Sequence, residues 1–207
     1  LKGAGIPVFY SPGNLASAFR KLHDYHNWKE QTLDIGFRVP AMSQAQLKIA
    51  DKLRALDRVE LTDGESKHVL SGWGVVTTGK SDVPRNVGAE VIIGVNQDDQ
   101  LGPVLCYRMG GAFAEIMTDV ALRICPVSRQ EVQKMVNEVA GSRMLFGLND
   151  KRKGDIDALI DTLVCVSDMA VNLDGIVDEI LINSLIVLPM GQGVEAHDVK
   201  ITLRKQQ

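Results

Sequence analysis

The chain has 207 residues, 45% of them hydrophobic, which is enough to bury one or two cores of ordinary size. Its net charge of -3 and pI near 5.8 exclude the basic footprint of a nucleic-acid-binding protein. No run approaches the roughly 18 apolar residues of a membrane span. Cys106, Cys125 and Cys165 are odd in number and far apart, which indicates reduced thiols of a cytoplasmic protein.

The first predicted elements are a short apolar strand at 6–10 and a helix that follows a Ser-Pro-Gly-Asn break at 11–14. Helical spacing predicts one buried face on this helix, formed by Leu15, Ala18, Phe19, Leu22 and Tyr25. Residues 27–42 show no sustained period and contain glycine and proline, so we expect a linker there.

N-cap signals predict the starts of four further helices, at Ser43, Thr62, Ser128 and Asp155. Thr62 and Ser128 are each followed three residues later by a glutamate, so both fit the capping box. Residues 75–78 predict a short strand. The polar run at 79–88 is a surface loop by composition, because it lacks the two-glycine frame of a phosphate-binding P-loop.

Residues 90–121 predict two extended runs, 90–95 and 103–109, joined by a polar turn. Gly110 and Gly111 follow, and a third strand-like run then carries Glu115 and Asp119. A flexible glycine pair with carboxylates just beyond it suits a site that handles phosphate and metal. The alternative is a plain turn, which is the commoner role of such a pair.

The end of the chain predicts a hairpin, with strands at 179–188 and 194–203 and a turn at 189–193. A turn symmetric about residues 190 and 191 places Asn183 directly opposite Asp198. Their Cβ atoms would then lie roughly 5 Å apart, so an amide oxygen and a carboxylate could share a hard cation. The alternative is a cross-strand hydrogen bond without metal, which the spacing alone favours.

Several segments together carry a family resemblance: LKGAGIPVFYSPGNLASAFRKL, LTDGESKHVLSGWGV, the stretch 90–121, EILINSL and AHDVKITL. In these segments the chain resembles the ADP-forming (NDP-forming) acyl-CoA synthetases, in the form that fuses CoA-ligase domains with an ATP-grasp domain. It is more distantly similar to succinyl-CoA synthetase.

The resemblance implies an α/β fold in three parts. Residues 1–35 would be the closing strand and helix of a flavodoxin-like CoA-ligase subdomain, and 36–60 a linker and connector helix. Residues 61–207 would be an ATP-grasp domain, mainly its C-terminal subdomain with a mixed sheet and helices, lacking most of its nucleotide-binding lid between 78 and 89. Either the protein is longer and the lid and upstream domains lie outside this sequence, which we favour, or it is truncated and cannot bind ATP.

The resemblance also implies a reaction in which ATP phosphorylates a histidine, the phosphoryl group passes to a small carboxylic acid, and CoA displaces the phosphate. It makes Asn183 and Asp198 the Mg²⁺ ligands, Glu115 the catalytic residue, and Gly110 and Gly111 the phosphate-binding backbone. None of the four histidines matches the phosphorylated histidine of the family, so the chain alone should not complete the reaction. Members are usually homodimers or larger.

Some residues depart from the family pattern. Arg108 and Met109 stand where a longer glycine motif is usual, and Leu181 and Ser184 replace the acidic residue before Asn183 and the proline after it. These departures are compatible with a second function, a non-catalytic module that senses acyl-CoA or nucleotide, as in fused protein acetyltransferases. A third hypothesis is a purely structural dimerisation half.

Overall fold

The computed structural model describes residues 11–34, 39–77, 88–111, 119–147 and 153–205. Two units are separable, Leu1–Arg38 and Val39–Gln207. The strand predicted at 6–10, most of the predicted loop at 79–88 and the predicted catalytic residue Glu115 lie outside the described residues.

The first unit contains one described helix, α1 (Pro12–Asp34), and the hydroxyl of Ser11 accepts a hydrogen bond from the Asn14 N–H at 3.2 Å at its start. The predicted start of a linker at residue 27 is wrong, since helix-forming residues continue the helix to Asp34 without an apolar period. Three of the five residues of the predicted buried face, Leu15, Phe19 and Leu22, are exposed. None of the described helices has the length and apolar character needed to cross a membrane.

The second unit contains four α-helices and six strands in its described part. The helices are α2 (Gln44–Arg54), α3 (Asp63–Gly72), α4 (Arg129–Glu138) and α5 (Ile156–Asn172), with a short 3₁₀ helix at Ala140–Met144. The strands are β1 (Ala89–Asp98), β2 (Gly102–Met109), β3 (Ala121–Ile124), β4 (Val177–Val187), β5 (Val194–Ala196) and β6 (Val199–Leu203).

All four predicted N-caps are confirmed. Ser43, Thr62 and Ser128 each form a complete capping box at the start of α2, α3 and α4. The side chain of Asp155 accepts from the Ala158 N–H at the start of α5. These helix starts are determined by local chemistry, which is why the sequence predicts them well.

The strands form one sheet in the order β3-β2-β1-β4-β5, and β6 also pairs with β4. Every named pair is antiparallel. The helices and sheet confirm the predicted α/β class. Two local predictions are wrong: the strand at 75–78 is a single parallel bridge from Thr77 to Ala196, and the third strand begins at Ala121, after Asp119.

The sheet has a core face and an outer face, because successive side chains along a strand point to opposite sides. The core face packs against the helices and carries buried apolar residues from every long strand: Val91, Ile93, Val95, Leu105, Tyr107, Met109, Ile180, Ile182, Leu185, Val187, Val199 and Ile201. We call the opposite side the outer face.

A β-bulge interrupts the alternation in the middle of β4. The β1 partners of Ile182 and Leu185 are only two residues apart, so Asn183 and Ser184 together face the single residue Ile92. Ile182 and Leu185 both point to the core. The side chains of Asn183 and Ser184 are therefore both on the outer face.

The capping box of α3 predicts a pH dependence of stability. Hydrogen bonds from the Thr62 hydroxyl and backbone N–H, and then from Arg58, lower the pKa of Glu65 to about 2. A carboxyl whose folded pKa is lowered stabilises the fold above its unfolded pKa, and this contribution is lost as the pH falls towards the folded pKa. The Glu65→Gln variant should therefore be less stable than wild type at pH 6, and the difference should shrink between pH 4.5 and pH 2.

Urea unfolding of both proteins across this pH range measures the difference. Glu131→Gln, which alters the equivalent box of α4, is the matched control for loss of a capping box. A stability difference for Glu65→Gln that stays constant with pH would contradict the pKa assignment.

Candidate functional site

The outer face brings residues of four neighbouring strands, and of the connection between β5 and β6, into two cross-strand rows. The first row, across the end of β2 and strands β1, β4 and β5, contains Gly110, Glu90, Ile186 and Glu195. The second row contains Arg108, Ile92, the pair Asn183 and Ser184, and the pair Asp198 and His197.

The backbone confirms the predicted pairing of Asn183 with Asp198. The Asn183 N–H donates to the Asp198 carbonyl oxygen at 2.8 Å, and the His197 N–H donates to the Ser184 carbonyl oxygen at 3.0 Å. Both Asn183 and Asp198 are exposed. Within the described residues no hydrogen bond joins their two side chains, so the expectation of a simple amide–carboxylate bond has no support in this structure.

The two side chains fit a magnesium ion. An amide oxygen and a carboxylate are hard oxygen donors, and a backbone hydrogen bond holds the two residues next to each other. The described residues contain no group of three or more His, Cys, Asp or Glu side chains arranged to hold a metal. Magnesium does not need one, because it is commonly held by one or two protein ligands together with water and substrate phosphates.

The glycine pair beyond β2 is shaped by Glu90. The Gly110 N–H donates to the Glu90 carbonyl oxygen at 2.8 Å, so this amide is used within the sheet and is not available to a phosphate. Gly111 has a φ of +60°, and a Cβ there would lie 2.7 Å from Glu90 Oε2. Gly111 is exposed and is thus the member of the pair that remains accessible to a ligand.

Other predicted residues are placed elsewhere or not described. Asp119, expected on a strand beside the site, accepts a hydrogen bond from the Ala140 N–H through Oδ2 at 2.5 Å and so caps the 3₁₀ helix. Glu115 lies outside the described residues.

Sequence reasoning missed two carboxylates of the outer face. Glu195 faces Ile186, and this pairing follows from the same hairpin register that pairs Asn183 with Asp198. The Oε2 atom of Glu195 lies 3.5 Å from His197 Nε2. Glu90 reaches this face through the pairing of β1 with β4, which are far apart in sequence, so no local signal could have revealed it.

Asp155 fixes the turn of the hairpin that carries the site. Its Oδ2 accepts from the backbone N–H groups of Gly191 and Gly193, each at 2.9 Å, while Oδ1 accepts from Ala158. Burial opposes ionisation, but the backbone donors of Gly193, Ala158 and Gly191 outweigh it and hold the pKa of this carboxyl below its ordinary value. One side chain therefore joins the start of α5 to the β4–β5 turn.

Comparison with known proteins gives a consistent set of matches. An ATP-grasp domain model matches residues 65–203. The beta subunit of the ADP-forming acetate–CoA ligase II of Pyrococcus furiosus is 35% identical over 117 residues, covering 56% of this chain and 50% of that protein. The ADP-forming acetate–CoA ligase I of Archaeoglobus fulgidus is 41% identical over 85 residues, covering 41% of this chain and 12% of that protein. The chain thus spans half or less of these relatives.

A solved structure shares the fold. The dinucleotide forming acetyl-coenzyme A synthetase 1 of Ca. Korarchaeum cryptofilum, in complex with coenzyme A and Mg-AMPPCP, aligns with a TM-score of 0.66 and 23% identity. The alignment covers 77% of this chain and 100% of that chain.

Loss of the Asp155 carboxylate should destabilise the hairpin more than the loss of an ordinary N-cap. Asp155→Ala removes one cap and two hydrogen bonds to the turn, so we expect a loss of about 2–4 kcal/mol of unfolding free energy. Ser128→Ala, which removes only a cap, should cost about 1 kcal/mol. Urea unfolding measures both, and amide hydrogen exchange should show faster exchange at Gly191 and Gly193 in the Asp155 variant alone. Equal losses in the two variants would contradict the role of Asp155 in the turn.

Proposed function

Because this chain belongs to the ATP-grasp domain family, we propose that it supplies the metal- and phosphate-binding part of an ADP-forming acyl-CoA ligase. The observation that carries the proposal is the pairing of Asn183 with Asp198 on the outer face, joined by a 2.8 Å backbone hydrogen bond. The family resemblance and the register of the hairpin lead independently to the same two residues.

The similar proteins support the reaction class. The curated relatives from Pyrococcus furiosus and Archaeoglobus fulgidus are ADP-forming acetate–CoA ligases. The solved structure with the shared fold holds coenzyme A and Mg-AMPPCP, and its phosphohistidine segment points towards the nucleotide binding site. We therefore propose ATP, Mg²⁺, CoA and a small carboxylic acid as the substrates and cofactor of the whole protein.

The proposed reaction has three transfers. The γ-phosphoryl group of ATP moves to a histidine nitrogen and ADP leaves. A carboxylate oxygen of the acid then takes the phosphoryl group from the histidine. The sulfur of CoA finally attacks the acyl carbon, and phosphate leaves. The histidine and the acid-binding pocket would belong to the upstream CoA-ligase domains.

The residues of this chain would hold and orient the nucleotide for the first transfer. Asn183 and Asp198 would hold magnesium, which when bound supplies positive charge that offsets the charge of the transferring group. Gly111, with its exposed backbone and positive φ, would let phosphate oxygens approach closely. Glu115 remains our proposed catalytic residue, and Gly110 would shape the site without donating its own N–H.

The same proposal covers the organisation of the protein. Residues 1–35 would close a flavodoxin-like subdomain, 36–60 would connect it to the ATP-grasp domain at 61–207, and most of the nucleotide-binding lid would be absent between 78 and 89. A homodimeric or larger assembly in the cytoplasm is part of the same family-based proposal.

The full-length protein should form ADP in repeated turnovers only when ATP, magnesium, a carboxylic acid and CoA are all present, whereas ATP and magnesium alone should give no more than a single round of histidine phosphorylation. Asn183→Ala and Asp198→Ala should each lower this rate by on the order of 100-fold, because each removes a ligand that acts on the transferring group. Asn96→Ala and Asp99→Ala are matched controls, since they remove the same chemical groups from exposed positions at the far end of β1 and should leave the rate unchanged. A coupled assay of ADP release with a panel of acids measures all five proteins.

Two results would separate the alternatives. Wild-type activity that is unaffected in the Asn183→Ala, Asp198→Ala double variant would show that the metal assignment is wrong. No ADP with any acid, combined with calorimetric binding of acyl-CoA that needs no magnesium, would contradict the ligase and favour a sensing module.

A further inference from the structure

Arg108 lies on the outer face of β2, in the same cross-strand row as the Asn183–Asp198 pair. Its side chain is half-buried. We infer that the Arg108 guanidinium binds the phosphate oxygens of the nucleotide. This inference rests on the proposed function and assigns a phosphate-binding residue to this chain that the family resemblance does not supply.

Arg108 has no carboxylate counter-ion within the described part of the chain. Five other described arginines of the second unit form ion pairs: Arg54 with Asp51, Arg58 with Glu65, Arg123 with Glu138, Arg129 with Asp157 and Asp161, and Arg204 with Asp178. Arg143 pairs with no described carboxylate, but unlike Arg108 it is exposed to solvent. Among the described residues no carboxylate lies within ion-pairing distance of Arg108. Partly burying a charge without a partner is costly, so a half-buried guanidinium of this kind favours an anionic ligand.

Arg108 also lies within reach of a ligand bound at the Asn183–Asp198 pair. Arg108 pairs with Ile92 on β1, and Ile92 faces Asn183 across the next strand boundary. Two strands separated by one intervening strand lie roughly 10 Å apart. A long arginine side chain and a polyphosphate extending from the magnesium pair together cover that distance. Guanidinium groups match phosphate geometry through two parallel N–H donors.

Cys106 and Arg108 lie close together on one face of β2, as the alternating burial along that strand shows. Burial raises the pKa of the Cys106 thiol, and the positive charge of Arg108 opposes that rise. Cys106 lies two residues before Arg108 and therefore on the same face of the strand. The guanidinium charge thus acts on the outer face, where the candidate metal ligands lie.

An arginine at position 108, where the resembled family has a glycine motif, can change the affinity for nucleotide in either of two opposite directions. The resembled family has a longer glycine motif here, and this chain has Arg108 and Met109 instead. Met109 points into the core, so only Arg108 changes the ligand-facing surface. A guanidinium at this point either binds phosphate, as we infer, or occupies the space of the nucleotide. Binding measurements distinguish the two by the sign of the effect.

The test is isothermal titration of the intact full-length protein with Mg-AMPPCP. Arg108→Gln should weaken binding roughly 10- to 100-fold, since it removes hydrogen bonds between a charged donor and phosphate. The Arg108→Lys variant keeps the charge but not the two parallel donors. Its affinity for Mg-AMPPCP should therefore fall between those of wild type and Arg108→Gln. In steady-state assays the KM for ATP should rise in Arg108→Gln while the KM for CoA stays unchanged.

Arg123→Gln is the matched control. Arg123 is also half-buried on an adjacent strand, but it pairs with Leu105 of the core face and with the carboxylate of Glu138. It should change thermal stability without changing the dissociation constant for Mg-AMPPCP. Thermal unfolding of every variant confirms that each binding measurement is made on folded protein.

Each outcome has a separate meaning. If wild type binds Mg-AMPPCP and Asn183→Ala weakens that binding, but Arg108→Gln binds as tightly as wild type or more tightly, the inference about Arg108 is overturned and the proposed function stands. If wild type shows no binding of Mg-AMPPCP, the proposed function and the inference are both overturned.

Discussion

Strand β4 pairs with β1 on one side and with β5 and β6 on the other, and its register determines which residues of the sheet meet the helices. A shift of one residue would turn a whole set of apolar side chains to the wrong face. The bulge at Asn183 and Ser184 adds one residue against Ile92 and yet returns Leu185 to the core. The polar pair is thereby placed on the outer face without any loss of apolar packing on either side of it.

Two further contacts maintain this arrangement at the ends of the strands. At the turn, Asp155 binds the backbone of Gly191 and Gly193 and connects the hairpin to the first turn of α5. At the end of β2, Gly110 and Gly111 have no Cβ, and this lets the chain pass close to the Glu90 side chain. Neither contact uses the side chains of Asn183, Asp198 or Arg108.

The sequence predicted those parts of the fold that depend on short-range rules. The capping boxes at Thr62 and Ser128 follow from side chains three residues apart, and the pairing of Asn183 with Asp198 follows from a short turn. Prediction from the sequence failed where the structure depends on pairing between distant parts of the chain. The run at 75–78 has strand composition but finds only one bridge partner, and the helix of the first unit continues past residue 27 without an apolar period. The two faces of β1 and β2 could not be assigned, because they depend on pairing with β4 across some ninety intervening residues.

Leu181 stands where the resembled family usually has an acidic residue, and this limits what the proposed magnesium ligands Asn183 and Asp198 could do alone. Leu181 lies on the outer face one row beyond Asn183, where its cross-strand partner Lys200 forms an ion pair with Glu60 at 2.8 Å. That position therefore offers no further oxygen ligand. Two protein ligands hold free magnesium weakly, because the ion gives up its bound waters reluctantly. Under the proposed function the ion then arrives already bound to the nucleotide phosphates, and a cationic side chain such as Arg108 at the other end of the row gains importance in holding those phosphates.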